Sequence, residues 1–282
     1  MFTASDESFI VLQRTLLTGV TNISFDQQIN EEAVNLINLQ GINRKVVNPT
    51  VTNCKITKKY CGEDFLRTLT GFVGLSGQFV YGKDVLEFDD AVLSNYSLTM
   101  DSQSIPTVSA DLKIYGELKP AAQLSSLPFN PNNSIVSDHT IRDLDANDVS
   151  FTFMNKTVPI SNFSFSAAFN AKPTYEISTI KSSTVKIIPP VQLSTSVKME
   201  MTQVEFENVT GFVSGNLPKT GQDQANRRFT LGFSDLNTYD FSGFALESQN
   251  VSISTREPVQ LDLKYKGYLL NLPGGSPPEV PA

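Results

Sequence analysis

An internal duplication constrains this 282-residue chain more than any other feature. Residues 20–73 align with 160–213 at a constant offset of 140 without a gap, giving 12 identities in 54 positions, where composition alone would give roughly three. The identities include Asn22/Asn162, Ser24/Ser164, Phe25/Phe165, Pro49/Pro189, Lys58/Lys198 and the block Thr70-Gly71-Phe72-Val73 against Thr210-Gly211-Phe212-Val213. A late segment repeats as well: Asn95-Tyr96-Ser97-Leu98-Thr99 matches Asn250-Val251-Ser252-Ile253-Ser254, and VSADLKIYGEL from Val108 matches VQLDLKYKGYL from Val259. The chain therefore divides into one unit at 1–118, a Pro-, Ser- and Asn-rich linker at 119–148, a duplicate unit at 149–272 and a tail at 273–282. Pro273, Pro277, Pro278 and Pro281 deny that tail regular backbone bonding.

Within each unit, apolar residues alternate with polar ones, the period of a half-buried strand. Phe163, Phe165, Ala167 and Phe169 share one face, as do Val259, Leu261, Leu263 and Tyr265, and Val108, Ala110, Leu112 and Ile114. One buried and one polar side is the pattern of antiparallel sheet, so the chain is expected to be mainly β. Helical signal is thin: Asp64–Leu69 suits one short helix. Glu31–Ile37 is ambiguous, but its counterpart KPTYEIS carries Pro173 and reads extended.

Composition narrows the functional classes. A net charge of −7 and pI near 4.8 argue against a surface that grips nucleic acid, which needs clustered Lys and Arg to release counterions. Cys54 and Cys61 lie in no metal or redox spacing and read as reduced thiols in a strand and its flank. The N-terminus lacks the basic and apolar regions of a signal peptide, and no run of 18 apolar residues occurs, so a soluble, cytoplasmically made protein is expected. On that reading the Asn-x-Ser/Thr triplets at Asn22, Asn95, Asn132, Asn155, Asn162, Asn208 and Asn250 mark polar strand faces and not glycan acceptors.

Candidate chemical motifs are incomplete. Gly77–Asp84 has phosphate-loop spacing but ends in Asp where a hydroxyl should bind magnesium, and Val85–Asp90 has no helical amphipathicity, so a β-hairpin is expected. Asp143–Asp148 spaces oxygens as a calcium loop does, but it lacks the turn glycine and has Met154 in place of the bidentate Glu. His139, the one histidine, sits in the linker beside Ser137 and Asp138, too close in sequence to form a triad. The paired carboxylates Asp89-Asp90 have the chemistry for acid/base work, but nothing in the sequence distinguishes them from a solvated hairpin tip. No catalytic, cofactor-binding or metal-ligating residue is assigned, and an enzyme is not expected.

VTNISFDQQINEEAVNLINLQGINRKVVNPTV, its counterpart VPISNFSFSAAFNAKPTYEISTIKSSTVKIIPPV, and the late hairpins NYSLTMDSQSIPTVSADLKIYGEL and NVSISTREPVQLDLKYKGYL resemble the tail tube proteins of long-tailed bacteriophages. The resemblance implies two tandem antiparallel β-sandwich or barrel tube domains, each with at most one short helix. It implies a virion tail location and self-association of three chains into pseudo-hexameric rings that stack into a tube. The acidity then suits a negatively charged lumen through which DNA slides. The segment from Gly71 to the late hairpin would contact neighbouring rings. A tube-fold baseplate hub, tail-tip or neck ring protein fits the same residues, and from another class so does a β-sandwich receptor-binding module. Other tail, baseplate or neck proteins are the implied partners, with no membrane.

Overall fold

The computed structural model describes residues 9–13, 15–17, 19–28, 31–34, 44–47, 51–60, 71–81, 84–102, 104–121, 149–153, 156–157, 159–175, 182–202, 229–233, 238–241, 244–252 and 258–269, with single residues 64, 66 and 69. In the first unit the strands are β1 (Phe9–Leu12), β2 (Thr15–Leu16), β3 (Val20–Gln28), β4 (Glu31–Val34), β5 (Arg44–Val47), β6 (Val51–Lys59), β7 (Leu75–Tyr81), β8 (Asp84–Asp101) and β9 (Thr107–Ile114). β10 (Lys119–Pro120) carries sheet two residues into the stretch read as linker. The second unit contributes β11 (Val149–Phe153), β12 (Lys156–Thr157), β13 (Ile160–Ala168), β14 (Ala171–Tyr175), β15 (Ser182–Ile187) and β16 (Val191–Met201). It continues with β17 (Phe229–Phe233), β18 (Thr238–Phe241), β19 (Ala245–Ser252) and β20 (Val259–Leu269). The protein is mainly β, and its strand pairs are antiparallel.

The alternating faces behave as their period demands. Phe163, Phe165, Ala167 and Phe169 are buried, as are Val108, Ala110, Leu112 and Ile114, and Val259, Leu261, Leu263 and Tyr265. Glu31–Val34 is extended, pairing with Arg44–Val47. Of the stretch 64–69 only residues 64, 66 and 69 are described; Leu66 is helical there, and no helix longer than that occurs among the described residues.

Both units contribute to one sheet of 12 strands. Its main layer runs β3-β6-β9-β8 through the first unit and β13-β16-β20-β19 through the second, joined by β8 against β13. Further strands cover its apolar face, and β4-β5 and β14-β15 are separate two-stranded hairpins. The first half of β8 pairs with β7, which continues to β1 and β2, while β12-β11-β17-β18 form a separate sheet. Aromatic side chains tie cover to main layer: Phe25 meets Phe79 edge-on at 4.4 Å between centroids, and Phe151 lies 6.2 Å from Phe163. The first unit is thus a sandwich whose two layers share one strand.

β8 passes between layers by bending at Asp90, a non-glycine residue with φ of 52°. Its burial alternation breaks there into four consecutive buried residues, Ala91 to Ser94. Gly116 faces the bend with Asp89 packed where a side chain would otherwise stand. Asp89-Asp90 is therefore the corner of an 18-residue strand and not a hairpin tip. The tip lies between Tyr81 and Asp84, which pair directly. The segment after Gly71 forms β7 and the start of β8, with Leu75, Phe79, Val85 and Phe88 buried.

Strand pairing also refines the duplication. β3 and β13 begin 140 residues apart, as do β4 and β14. Cys54 stands opposite Phe25, however, while Thr195, not Ser194, stands opposite Phe165. The second unit has taken up one residue near the cis Pro189-Pro190 peptide, and a slip of one exchanges strand faces. Lys58 accordingly points inward at 1% exposure, whereas its sequence match Lys198 points outward. In the late hairpin a bulge lies between Leu93 and Asn95 in one unit and between Leu246 and Ser248 in the other. Matching the bulges equates Asn95 with Ser248 and Asp111 with Lys264, two residues from the sequence match on each strand, which leaves the faces unchanged.

Candidate assembly interface

The junction between β8 and β13 is a complete strand interface within one chain. Seven residue pairs run from Asp101 opposite Asn162 to Asn95 opposite Ala168. Backbone hydrogen bonds extend it at both ends, from Ser102 N to Ser161 O (2.9 Å) and from Phe169 N to Ser94 O (2.8 Å). On the core side, Phe165 lies opposite Leu98 and 6.0 Å from the Tyr96 ring, and Phe169 packs on Phe72 at 4.9 Å. On the polar side, the Asn162 amide donates to Asp101. Tyr96 also anchors the junction from below, because its hydroxyl donates to both oxygens of the buried Asp64 carboxylate at 2.9 Å.

The same strand order in both units leaves equivalents of this junction at the two ends of the layer. Among the described residues β3 pairs only with β6, and β19 only with β20. β3 is the counterpart of β13 and β19 that of β8, so one end of the chain is complementary to the other. The aromatic residue that the internal junction buries is uncovered at the end: Phe165 is 8% exposed and Phe25 42%. Beside Phe25 runs a groove of about 780 Å³ lined by Val20, Ile23, Phe79, Val85, Leu86 and Pro120, among others. The groove thus lies along a strand edge that is unpaired among the described residues, the kind of edge to which a further strand can add.

The opposite side of the main layer is mostly polar. Ser24, Thr57, Ser97, Thr99, Ser109, Ser164, Ser166, Ser194 and Ser196 lie on it, with Ser166 and Ser194 hydrogen bonded at 2.8 Å. Its charges are Asp26, Asp101, Asp111, Glu200 and Asp262 against Lys55, Lys59, Lys113, Lys198, Lys264 and Lys266. Lys55 stands opposite Asp111, and Lys198 opposite Asp262. This face is charge-balanced, so the net acidity of the chain is not concentrated on it.

The remaining sequence candidates do not converge. Gly77–Asp84 is the β7–β8 hairpin. A Cβ at Gly77 would stand 2.7 Å from Val11 O, so this glycine serves packing. Cys54 is buried in β6, and burial, with the Asp111 charge adding, pushes its thiol up to about 12. Asn22, Asn95, Asn162 and Asn250 lie on the polar strand faces. Cys61, Asn132, His139, Asp143–Asp148, Asn155, Asn208 and the tail lie outside the described residues. Among those described, no group of three or more His, Cys, Asp or Glu side chains comes together, and no helix is long and apolar enough to cross a membrane. Sequence reasoning missed Tyr96 and Phe72 as junction residues, although the repeated Thr-Gly-Phe-Val block marked Phe72.

Protein-family models find no match in this chain, and no curated protein matches it.

Proposed function

We propose that this chain is the structural subunit of a bacteriophage tail tube, self-associating into rings that stack around a DNA-conducting lumen. One observation carries the reading: the two units are joined head to tail through β8 and β13, and among the described residues β3 and β19 are the same two partners with one edge unpaired. A heterologous head-to-tail contact generates a ring when its rotation closes. With two units per chain, three chains supply pseudo-sixfold symmetry. The polar face then lines the lumen. A wall of hydroxyls with lysines set opposite carboxylates offers DNA no cluster of cations to displace its counterions, so low adhesion follows from charge balance and not from repulsion.

Transferring the β8–β13 register to the chain ends sets Phe25 opposite Val251 and Asp26 opposite Asn250 of the next chain. Negative-stain electron microscopy of the concentrated full-length protein should show annular particles or hollow tubes. Persistent monomers under all conditions would overturn the proposal. Tube, hub and neck ring assignments are separated by copy number, since a tube subunit is among the most abundant proteins of the particle.

A further inference from the structure

One row on the core side of the main layer differs in chemistry between the internal junction and the two chain ends. Inside the chain, Ala167 of β13 stands opposite Tyr96 of β8, and the two are buried at 3% and 1% exposure. Their other neighbours in the row are apolar: Leu193 stands beside Ala167 and Ala110 beside Tyr96. The counterpart of Ala167, 140 residues earlier, is Gln27, and counting from the shared bulge the counterpart of Tyr96 is Gln249. Both glutamines lie on the core side. Gln27 is two residues from Phe25 and pairs with the buried Thr52, and Gln249 pairs with the buried Leu263. In the single chain Gln27 is exposed and Gln249 half-buried.

The register that sets Phe25 opposite Val251 of the next chain also sets Gln27 opposite its Gln249. The internal junction seals the corresponding positions from water, so the same positions lose water when two chain ends meet. A primary amide out of water needs hydrogen-bond partners. Each amide offers an oxygen acceptor and two N–H donors, so two opposed glutamines satisfy one another. Neither member of the internal pair serves a glutamine as well. The Ala167 side chain has no polar group, and the Tyr96 hydroxyl is turned to the Asp64 carboxylate.

We propose that Gln27 and Gln249 form an amide pair between chains that makes the end-to-end junction selective for a second copy of this chain in the correct register. This rests on the head-to-tail ring proposed above and adds the residues that keep the two kinds of junction from exchanging partners. An exchanged pairing, β8 on β3 or β19 on β13, buries one amide against a side chain that cannot match it. A penalty of that kind discriminates between otherwise similar partners.

Methionine keeps the length of glutamine and removes the amide. In sedimentation velocity of the full-length protein, Gln27→Met and Gln249→Met should each raise the concentration needed for ring assembly about tenfold, because each strands the opposite amide. The double variant has no amide to satisfy and should return to within about threefold of the wild type. An equal mixture of the two single variants should assemble better than either alone, since unlike neighbours match Met with Met and Gln with Gln. Circular dichroism at dilute concentration checks that each chain folds, and Gln249→Leu replaces Gln249→Met in the cycle if the latter does not. Single variants that assemble like the wild type, or a double variant or mixture no better than the singles, would overturn this inference while wild-type rings still form. A wild type that forms no ring would overturn it together with the assembly reading.

Discussion

Phe165→Ala is expected to destabilise the folded chain by about 3–5 kcal/mol, while the equivalent change at Phe25 leaves folding nearly intact and impairs assembly. The two phenylalanines share sequence context and strand, and each faces the core side of the main layer. Phe165 is enclosed by the β8 junction, opposite Leu98 and beside Tyr96, so its removal opens a cavity in a covered site. Phe25 meets Phe79 edge-on and is 42% exposed. Its truncation in the monomer costs on the order of 1 kcal/mol. Phe25→Asp sharpens the contrast by placing an unpaired carboxylate where the next chain must dock, and rings should disappear. Urea unfolding at dilute concentration reads the first effect, and sedimentation velocity at high concentration the second. Equal destabilisation by both alanine variants, or undiminished rings from Phe25→Asp, would show that β3 is not a vacant counterpart of β13.

Gly77→Val should be among the most damaging single changes, lowering stability by about 3 kcal/mol or preventing folding. A Cβ at this position would meet Val11 O at 2.7 Å, and backbone of β1 cannot withdraw without breaking its pairing with β7. The aromatic stack of Phe79 on Phe88, with centroids 4.8 Å apart, fixes the other side. Thermal unfolding followed by circular dichroism checks the result. The same experiment bears on the phosphate-loop spacing of Gly77–Asp84: if packing alone requires the glycine, adding magnesium nucleotide to the wild type leaves its melting temperature unchanged. A fully stable Gly77→Val variant would contradict the close approach of β1 and β7.

Much of the sheet was legible because its strands are half-buried and period two is a strong local signal. The runs from Phe163, Val108 and Val259 named their buried faces correctly, and Pro173 correctly argued against a helix at Glu31–Val34. The corner of β8 was not legible: two adjacent aspartates are a turn signal, and only the distant Gly116 reveals why the strand continues through them. The registers were hidden for another reason. A gapless alignment rewards Lys58 against Lys198, yet one extra residue before β16 sends these side chains to opposite faces. The junction itself depends on Asp101 meeting Asn162, a pairing 61 residues apart that leaves no local pattern. The candidate interface became visible only when the two copies of a strand, one covered and one open, were set side by side.

The most direct test of the head-to-tail account is a disulfide between chain ends, using Asp26→Cys with Asn250→Cys in a chain whose Cys61 is changed to serine. Directly opposed strand residues stand within disulfide reach. The internal counterpart, Ser97→Cys with Ser166→Cys, supplies a positive control in the same register. On mild oxidation of assembled protein, non-reducing electrophoresis should show dimers and trimers with growth stopping at a closed trimer, and the control should link within single chains. A control that links normally while the end-to-end pair stays monomeric would contradict the account.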